Sequence, residues 1–131
     1  MIGIDTNVLV RLTLEQDTAQ GQTAQAFFRS LSPDNPGFVA REVVVEFVWL
    51  LERTFKLKRA EIETIMLGLL RSRELIIEQR ENLGAALGEF ERGGAGLADQ
   101  LIRVAALVSG YEEVVTFDKE LAREDRVTLL A

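Results

Sequence analysis

Short apolar runs alternate with longer amphipathic segments along the whole chain. The apolar runs cover residues 2–5, 37–40, 75–78, 113–117 and 127–130, and each is rich in Val, Ile or Leu. Runs of this length are typical of strands that other elements cover on both faces. We therefore predict a short β-strand at each of these positions.

Between these runs, apolar residues recur at spacings of three and four, which places them along one face of a helix. The pattern predicts helices with these core-facing stripes: Ala24, Phe27, Phe28 and Leu31; Val44, Phe47, Val48 and Leu51; Ile62, Ile65, Met66, Leu69 and Leu70; Leu83, Ala86, Leu87 and Phe90; Leu101, Val104, Ala105 and Val108. Asp17 is the predicted N-cap of the first helix, because its carboxylate can accept hydrogen bonds from unpaired backbone amides.

The alternation of strands and helices predicts the fold class. Strand–helix–strand units form parallel sheets through right-handed crossovers, and the helices cover the sheet. We therefore expect an α/β fold with a parallel sheet of about five strands and helices on both faces. No linker, low-complexity tract or internal repeat interrupts the chain, so residues 1–131 are expected to form a single domain.

Four acidic residues stand out because their sequence neighbours are largely apolar: Asp5, Glu46, Asp99 and Asp118. Asp5 and Asp118 lie at the carboxyl ends of predicted strands, whereas Glu46 and Asp99 lie off the apolar stripes of predicted helices. In open parallel sheets, ligands bind beyond the carboxyl ends of the strands. An ionised carboxylate close to a core is costly unless it is paired or binds a metal. The four acids are therefore predicted to meet at one sheet edge around a hard divalent cation.

Each acid also has a structural interpretation when it is taken alone. Asp118 is favoured as the N-cap of a short helix that follows it, and Asp99 in a first helical turn complements the helix dipole. Glu46 fits a partly exposed helix face, and Asp5 fits an Asx-turn with the amide of Asn7. The joint placement of all four favours a common site. Three further polar residues are either supporting groups of that site or turn residues: Thr6, Asn7 and Thr116.

The composition narrows the chemistry further. The 131 residues include no Cys and no His, which excludes disulfides, thiol nucleophiles, zinc–thiolate sites and imidazole bases. Oxygen ligands then favour Mg²⁺ or Mn²⁺. The net charge of −6 opposes nonspecific binding of nucleic acid, although bound divalent ions would offset part of it. No membrane span or basic leader is visible in the sequence, so we expect a cytoplasmic location.

Four segments resemble the motifs of PIN domains, and in particular those of VapC-type toxin ribonucleases from toxin–antitoxin modules. They are IGIDTNVL at residues 2–9, REVVVE at 41–46, GGAGLADQLI at 93–102 and VTFDK at 115–119. The resemblance covers the whole chain and implies a PIN-like fold with five parallel strands. It also implies a Mg²⁺-dependent endoribonuclease, with Mn²⁺ as the alternative ion, that a cognate antitoxin inhibits and that forms a homodimer.

The resemblance also implies a role for each acid. Asp5, Glu46, Asp99 and Asp118 match the acidic quartet of the family, and Thr6 and Thr116 match the accompanying hydroxyl positions. Asp5 and Asp99 are expected to bind the metal directly. Glu46 is expected to bind the metal or position the attacking water, and Asp118 to act from the outer shell. A metal-activated water would then attack the phosphorus of an RNA phosphodiester.

One departure from the family pattern and two alternative functions remain. Gly96 stands where many relatives carry a further Asp, which implies a weaker or singly occupied metal site. A PIN fold that binds metal or protein without turnover would carry the same motifs. A receiver-type phosphoacceptor domain would need an acidic pair at the first strand, an Asp after the third strand and a Lys after the fifth. Here Asp5 stands alone, Glu78 is the nearest candidate for the acid after the third strand, and no Lys follows residues 127–130.

Overall fold

The structure is a computed structural model that describes residues 1–131. The chain forms two compact units, Met1–Arg80 and Glu81–Ala131. The elements of the first unit are, in chain order, β1 (Ile2–Gly3), α1 (Thr6–Leu14), α2 (Ala19–Ser30), β2 (Gly37–Val39), α3 (Arg41–Trp49), α4 (Arg59–Arg71) and β3 (Leu75–Ile77). Those that follow are α5 (Arg80–Glu91), α6 (Leu97–Val108), β4 (Val114–Thr116), a 3₁₀ turn (Leu121–Arg123) and β5 (Val127–Leu129).

All the predicted strands are present, each slightly shorter than its apolar run. β1, β2 and β3 form one parallel sheet in that order, and Gly37 of the central strand lies opposite Ile2 and Leu75. β4 and β5 form a second parallel pair, in which Val114 lies opposite Val127. The α/β class with parallel strands is confirmed. Hydrogen bonding divides the strands into groups of three and two, and β1, which contains only two residues, pairs only with β2.

Most predicted helices bury the side chains that their spacing selects. Phe47, Val48 and Leu51 are fully buried on or directly after α3, and Met66 and Phe90 are almost fully buried on α4 and α5. Each such side chain contributes about 1.5–3 kcal/mol relative to an exposed position. These apolar stripes therefore pack into the core of the protein, as their spacing predicts.

Two features of the helices differ from the sequence predictions. Thr18, not Asp17, is the N-cap of α2, because the Thr18 backbone is extended and its hydroxyl accepts a hydrogen bond from the Gly21 amide at 2.9 Å. Helix α1 was not predicted at all. Its residues are rich in β-branched Val and Thr, which have a low intrinsic helix propensity, and only a short segment of it is buried.

The predicted inner face of α6 is confirmed for Val104, which is buried, and wrong for Ala105 and Val108. Ala105 and Val108 are exposed, whereas the polar residues Gln100 and Arg103 are buried on the same side as Leu97. Burial of Arg103 is compensated by hydrogen bonds, because its Nε donates to the Asp125 carbonyl at 2.8 Å. A prediction that places only apolar residues in the core therefore rotates this helix incorrectly.

Helix α3 does not end in a simple way. It continues as a π-helical segment, Leu50–Thr54, in which the Phe55 amide donates to the Leu50 carbonyl at 2.9 Å. The segment stops at Lys56, whose φ of 50° lies in the left-handed region. π-Helical turns occur frequently at functional sites, and this one directly follows the turn that carries Glu46.

None of the helices has the length and apolar character that a bilayer crossing requires.

Candidate active site

Asp5 lies immediately beyond the end of β1, at the carboxyl edge of the three-stranded sheet. Its side chain is the N-cap of α1, because Oδ1 accepts a hydrogen bond from the Thr6 amide at 2.8 Å. The donor is the amide of Thr6 and not that of Asn7, which the Asx-turn interpretation would use. The carboxylate is therefore held at a helix N-terminus, where partial positive charge stabilises a negative group.

Glu46 lies on the exposed side of α3 and faces the same cavity as Asp5. This cavity has a volume of about 470 Å³. Its lining comes from α1, α3, the π-helical segment and positions that flank these elements: Asp5, Thr6, Asn7, Val10, Arg11, Glu15, Glu46, Leu50, Thr54 and Phe55. Two of the four predicted acids, with Thr6 and Asn7, therefore share one cavity in the first unit, which we call the acidic cavity.

The hydroxyl group of Thr6 is an unusual feature of this cavity. Thr6 is only 4% exposed, and its Oγ1 makes no hydrogen bond. A buried polar group without a partner costs about 1–3 kcal/mol. Thr6 lines the cavity, and its Oγ1 is a buried, unsatisfied polar group beside it. The available donors are carboxylate, hydroxyl and amide oxygens, which fit a hard divalent cation.

Asp5 and Glu46 do not form a complete metal site by themselves. Glu15 lines the same cavity, but its carboxylate is paired with the guanidinium of Arg11. Neither unit brings three Asp or Glu side chains close enough to form a metal-binding group. The first unit thus brings two of the predicted acids to one cavity, which is fewer than a metal-binding group needs.

The other two predicted acids belong to the second unit. Asp99 is half-buried in the first turn of α6, and no side chain caps this helix at Gly96. Asp118 is exposed and its Oδ1 accepts hydrogen bonds from the amides of Glu120 at 2.8 Å and Leu121 at 3.3 Å. The capping role considered for Asp118 is therefore present. Its own amide donates to Thr116 Oγ1 at 3.0 Å, so Thr116 has a turn-forming role here.

The environment of the four acids differs from the sequence interpretation in one respect. Asp5, Glu46 and Asp118 are exposed, and only Asp99 is partly buried. Their apolar sequence neighbours point elsewhere, because side chains at successive positions of a strand end or helix point in different directions. The expectation that a metal compensates the burial of all four charges is therefore wrong. Their roles as ligands stay a prediction.

Arg11 and Glu15 are cavity residues that sequence reasoning missed. They lie four positions apart on α1 and directly after it, and they form an ion pair. An Arg and a Glu four residues apart are a common pair on helix surfaces. This spacing indicates a contact between them only when the segment is known to be helical. Because α1 was not predicted, the pair could not be placed beside Asp5.

Comparison with known proteins identifies the family of this chain. A model of the PIN domain family matches residues 2–127 of the chain. The chain belongs to the PIN domain family. This PIN domain is also similar to a VapC ribonuclease of Aquifex aeolicus (strain VF5). The two are 27% identical over 121 residues, which cover 92% of this chain and 89% of the relative. The family resemblance inferred from the four sequence motifs is thereby confirmed.

Glu78 bears on the receiver-type alternative, because it is the nearest candidate for the acid that such a domain needs after its third strand. In this PIN domain its Oε1 accepts a hydrogen bond from the Arg41 amide at 2.8 Å, at the start of α3. Helix α3 has no side-chain cap at Ala40, so Glu78 satisfies an amide that would otherwise lack a partner. The position of Glu78 after β3 thus has a structural explanation.

Residues 93–96 differ from the flexible approach to α6 that their glycine content predicted. The Ala95 amide donates to Glu124 Oε2 at 3.2 Å, within the second unit. A Cβ atom on Gly94 would lie 2.2 Å from the same oxygen, which is closer than non-bonded atoms approach. In this PIN domain the segment is therefore held by a specific contact, and a side chain at position 94 would displace the Glu124 carboxylate that makes it.

Proposed function

We propose that this PIN domain is a divalent-metal-dependent endoribonuclease and the toxin of a type II toxin–antitoxin module. The observation that carries the proposal is that Asp5 and Glu46 share a cavity with the buried, unpartnered hydroxyl of Thr6 in a chain of this family. Similarity to a VapC ribonuclease supports the choice of RNA as substrate. The activity would operate in the cytoplasm.

The proposed ligand set consists of four residues: Asp5, Glu46, Asp99 and Asp118. When bound, Mg²⁺ or Mn²⁺ supplies a water of lowered pKa and positive charge that offsets the phosphate oxygens. Asp5 is restrained by its bond to the Thr6 amide, which fixes the orientation of the carboxylate. We assign Thr6, whose unpartnered Oγ1 is buried beside the cavity, the role of a supporting hydroxyl. Glu46 binds the ion or orients that water, and Gly96 leaves the set without a further acid.

The chain's own residues also determine how protons move. Without histidine, the proton released from the attacking water passes to a carboxylate or to solvent. Glu46 is the exposed carboxylate in the cavity that is not engaged as a helix cap, so we assign this step to it. Asp5 is held as a cap and serves as a ligand.

The experiment that tests the proposal is cleavage of a panel of single-stranded and structured RNAs with Mg²⁺, Mn²⁺ or EDTA. Asp5→Asn is the informative variant, because Asn retains N-cap capacity while the ligand charge is lost. Asp17→Asn is the matched control, since Asp17 is exposed, lies outside the cavity and caps no helix. Metal-dependent cleavage that is lost in Asp5→Asn and retained in Asp17→Asn supports the nuclease. Equal cleavage by both variants contradicts the assignment of Asp5.

A non-catalytic PIN-like module that binds metal or protein is the alternative function. It is favoured by one observation, that neither unit alone brings three acids together. Wild-type protein that binds Mg²⁺ but cleaves none of the RNAs would support this alternative. A receiver-type domain is less well supported, because Glu78 is used to cap α3.

An apolar groove in the first unit is the site that we propose for the antitoxin. The groove has a volume of about 590 Å³, and apolar residues of β1, α1 and α2 form much of its lining, including Ile2, Val8 and Phe27. It shares Asn7 and Arg11 with the acidic cavity. An amphipathic segment with basic residues would place its apolar face in the groove and its charge beside the acids. Homodimer formation is a further part of the proposal and rests on the family resemblance alone.

A further inference from the structure

Arg11 is the sole cationic side chain in the lining of the acidic cavity. Three carboxylates share this lining, those of Asp5, Glu15 and Glu46. An RNA strand that enters the cavity brings negative phosphates towards these acids, and each close approach of like charges is unfavourable. A protein cation at this position would offset part of that repulsion without depending on a metal.

The guanidinium of Arg11 is held in place by residues on both sides of the α1–α2 corner. Its Nε donates to Gln20 Oε1 at 2.7 Å, and its Nη1 is paired with the Glu15 carboxylate. The corner itself is tight, because a Cβ atom on Gly21 would lie 1.8 Å from the Glu15 carbonyl oxygen. The side chain of Arg11 is thus ordered before any ligand arrives, which reduces the entropic cost of binding.

The bonds of Arg11 leave part of its donor capacity unused. A guanidinium has five N–H groups, and Nη2 makes no hydrogen bond within the protein. The side chains of Arg11 and Glu15 are about one third exposed, at 34% and 32%. A partly exposed ion pair contributes little to stability, so a purely structural role explains little of this arrangement.

We propose that Arg11 binds a non-bridging phosphate oxygen of the RNA strand in the acidic cavity, and that Glu15 and Gln20 orient its guanidinium. The planar fork of Arg matches phosphate geometry, and Nη2 is the available donor. The inference rests on the proposed function in that it takes RNA as the ligand. It extends that function by naming a phosphate-binding residue that is separate from the acidic quartet.

The test is binding of a fluorescently labelled single-stranded RNA, followed by anisotropy over a series of salt concentrations. Ca²⁺ replaces Mg²⁺, because it also takes oxygen ligands, and a denaturing gel verifies that the RNA stays intact. Four variants are compared with the wild type: Arg11→Gln, Arg11→Lys, Glu15→Gln and Arg29→Gln. Arg29 is the matched control, because it is an exposed Arg on α2 outside the cavity.

The proposal predicts a distinct result for each variant. Arg11→Gln weakens RNA binding about tenfold or more, and the slope of log affinity against log salt falls by about 0.7. Arg11→Lys keeps the charge and loses the fork, so its affinity is intermediate. Glu15→Gln binds RNA more tightly than the wild type, because it removes a competing negative charge while its amide oxygen still accepts the hydrogen bond from Arg11 Nη1. Arg29→Gln stays within about twofold of the wild type.

Several outcomes would overturn the proposal. Parallel losses in Arg11→Gln and Glu15→Gln would assign the ion pair a structural role. Equal losses of RNA affinity in Arg11→Gln and Arg29→Gln would show that Arg11 acts only through the net charge of the protein. Absence of RNA binding by the wild type would exclude RNA as the ligand. Failure of the nuclease is distinguishable, because RNA bound through Arg11 but not cleaved in Mg²⁺ or Mn²⁺ would contradict the proposed reaction alone.

Discussion

The side chain of Glu124 binds the backbone of Ala95, with 3.2 Å between Oε2 and the amide nitrogen. Its neighbour Asp125 is bound as well, because its carbonyl accepts a hydrogen bond from Arg103 Nε at 2.8 Å. These two bonds connect the segment before β5 to both the start and the middle of α6. Since Asp99 lies in the first turn of α6, Glu124 supports the backbone that presents one of the predicted ligands.

Gly94→Ala should destabilise the protein through Glu124. The added Cβ would displace the Glu124 carboxylate, and the amide of Ala95, a residue only 1% exposed, would lose its partner at a cost of about 1–3 kcal/mol. The same substitution in a Glu124→Ala background should cost less than about 0.5 kcal/mol, because the bond is already absent. Urea unfolding of the two single variants and the double variant measures the coupling. Additive effects would show that Gly94 and Glu124 act independently.

Much of the fold was predictable from the sequence because its strands are nearly all apolar and most of its helices bury regular stripes. The pattern failed where polar groups replace apolar ones. Gln100 and Arg103 occupy the inner face of α6, so apolar periodicity selected Ala105 and Val108 instead. The π-helical segment after α3 was not predictable either, since no side chain in residues 50–54 specifies an i→i+5 bond.

The candidate site was predictable only in part. The position of Asp5 after an apolar strand predicts its place at the sheet edge, and that prediction is confirmed. Arg11 and the unpartnered Thr6 hydroxyl depend on α1, whose β-branched sequence conceals the helix. The capping bonds of Asp118 were anticipated as an alternative, because Asp before a short helix is a common N-cap.

Asp118→Asn and Asp118→Ala should separate the capping role of Asp118 from a role in catalysis. Asn can still accept the hydrogen bonds from Glu120 and Leu121, so its unfolding free energy should lie within about 0.5 kcal/mol of the wild type. Ala removes the cap and should cost about 1 kcal/mol. If Asp118 also acts at the metal, Asn should lower RNA cleavage about tenfold or more while leaving stability unchanged. Full activity of Asp118→Asn would limit this residue to capping.

Mg²⁺ should stabilise the folded protein through Asp5 and Glu46. An ion that binds only the folded state at about 100 times its dissociation constant adds about 2.7 kcal/mol to the free energy of unfolding. Thermal unfolding with and without millimolar Mg²⁺ should therefore show a higher Tm for the wild type. The shift should disappear in Asp5→Asn and Glu46→Gln and remain in Asp17→Asn, which changes a carboxylate outside the cavity. Equal shifts in all variants would place the bound ion elsewhere.

Thr23→Tyr should block the antitoxin without affecting the nuclease. Thr23 is exposed on α2 and lines the apolar groove but not the acidic cavity, so a Tyr ring there would fill the groove and leave Asp5 and Glu46 accessible. Cleavage of RNA by the free variant should match the wild type, whereas the cognate antitoxin should inhibit it at least about tenfold less well. Gln22→Tyr is the matched control, because Gln22 is exposed on the same helix outside the groove lining. Undiminished inhibition of Thr23→Tyr would move the antitoxin to a different surface, and reduced cleavage by the free variant would show that the groove also contacts RNA.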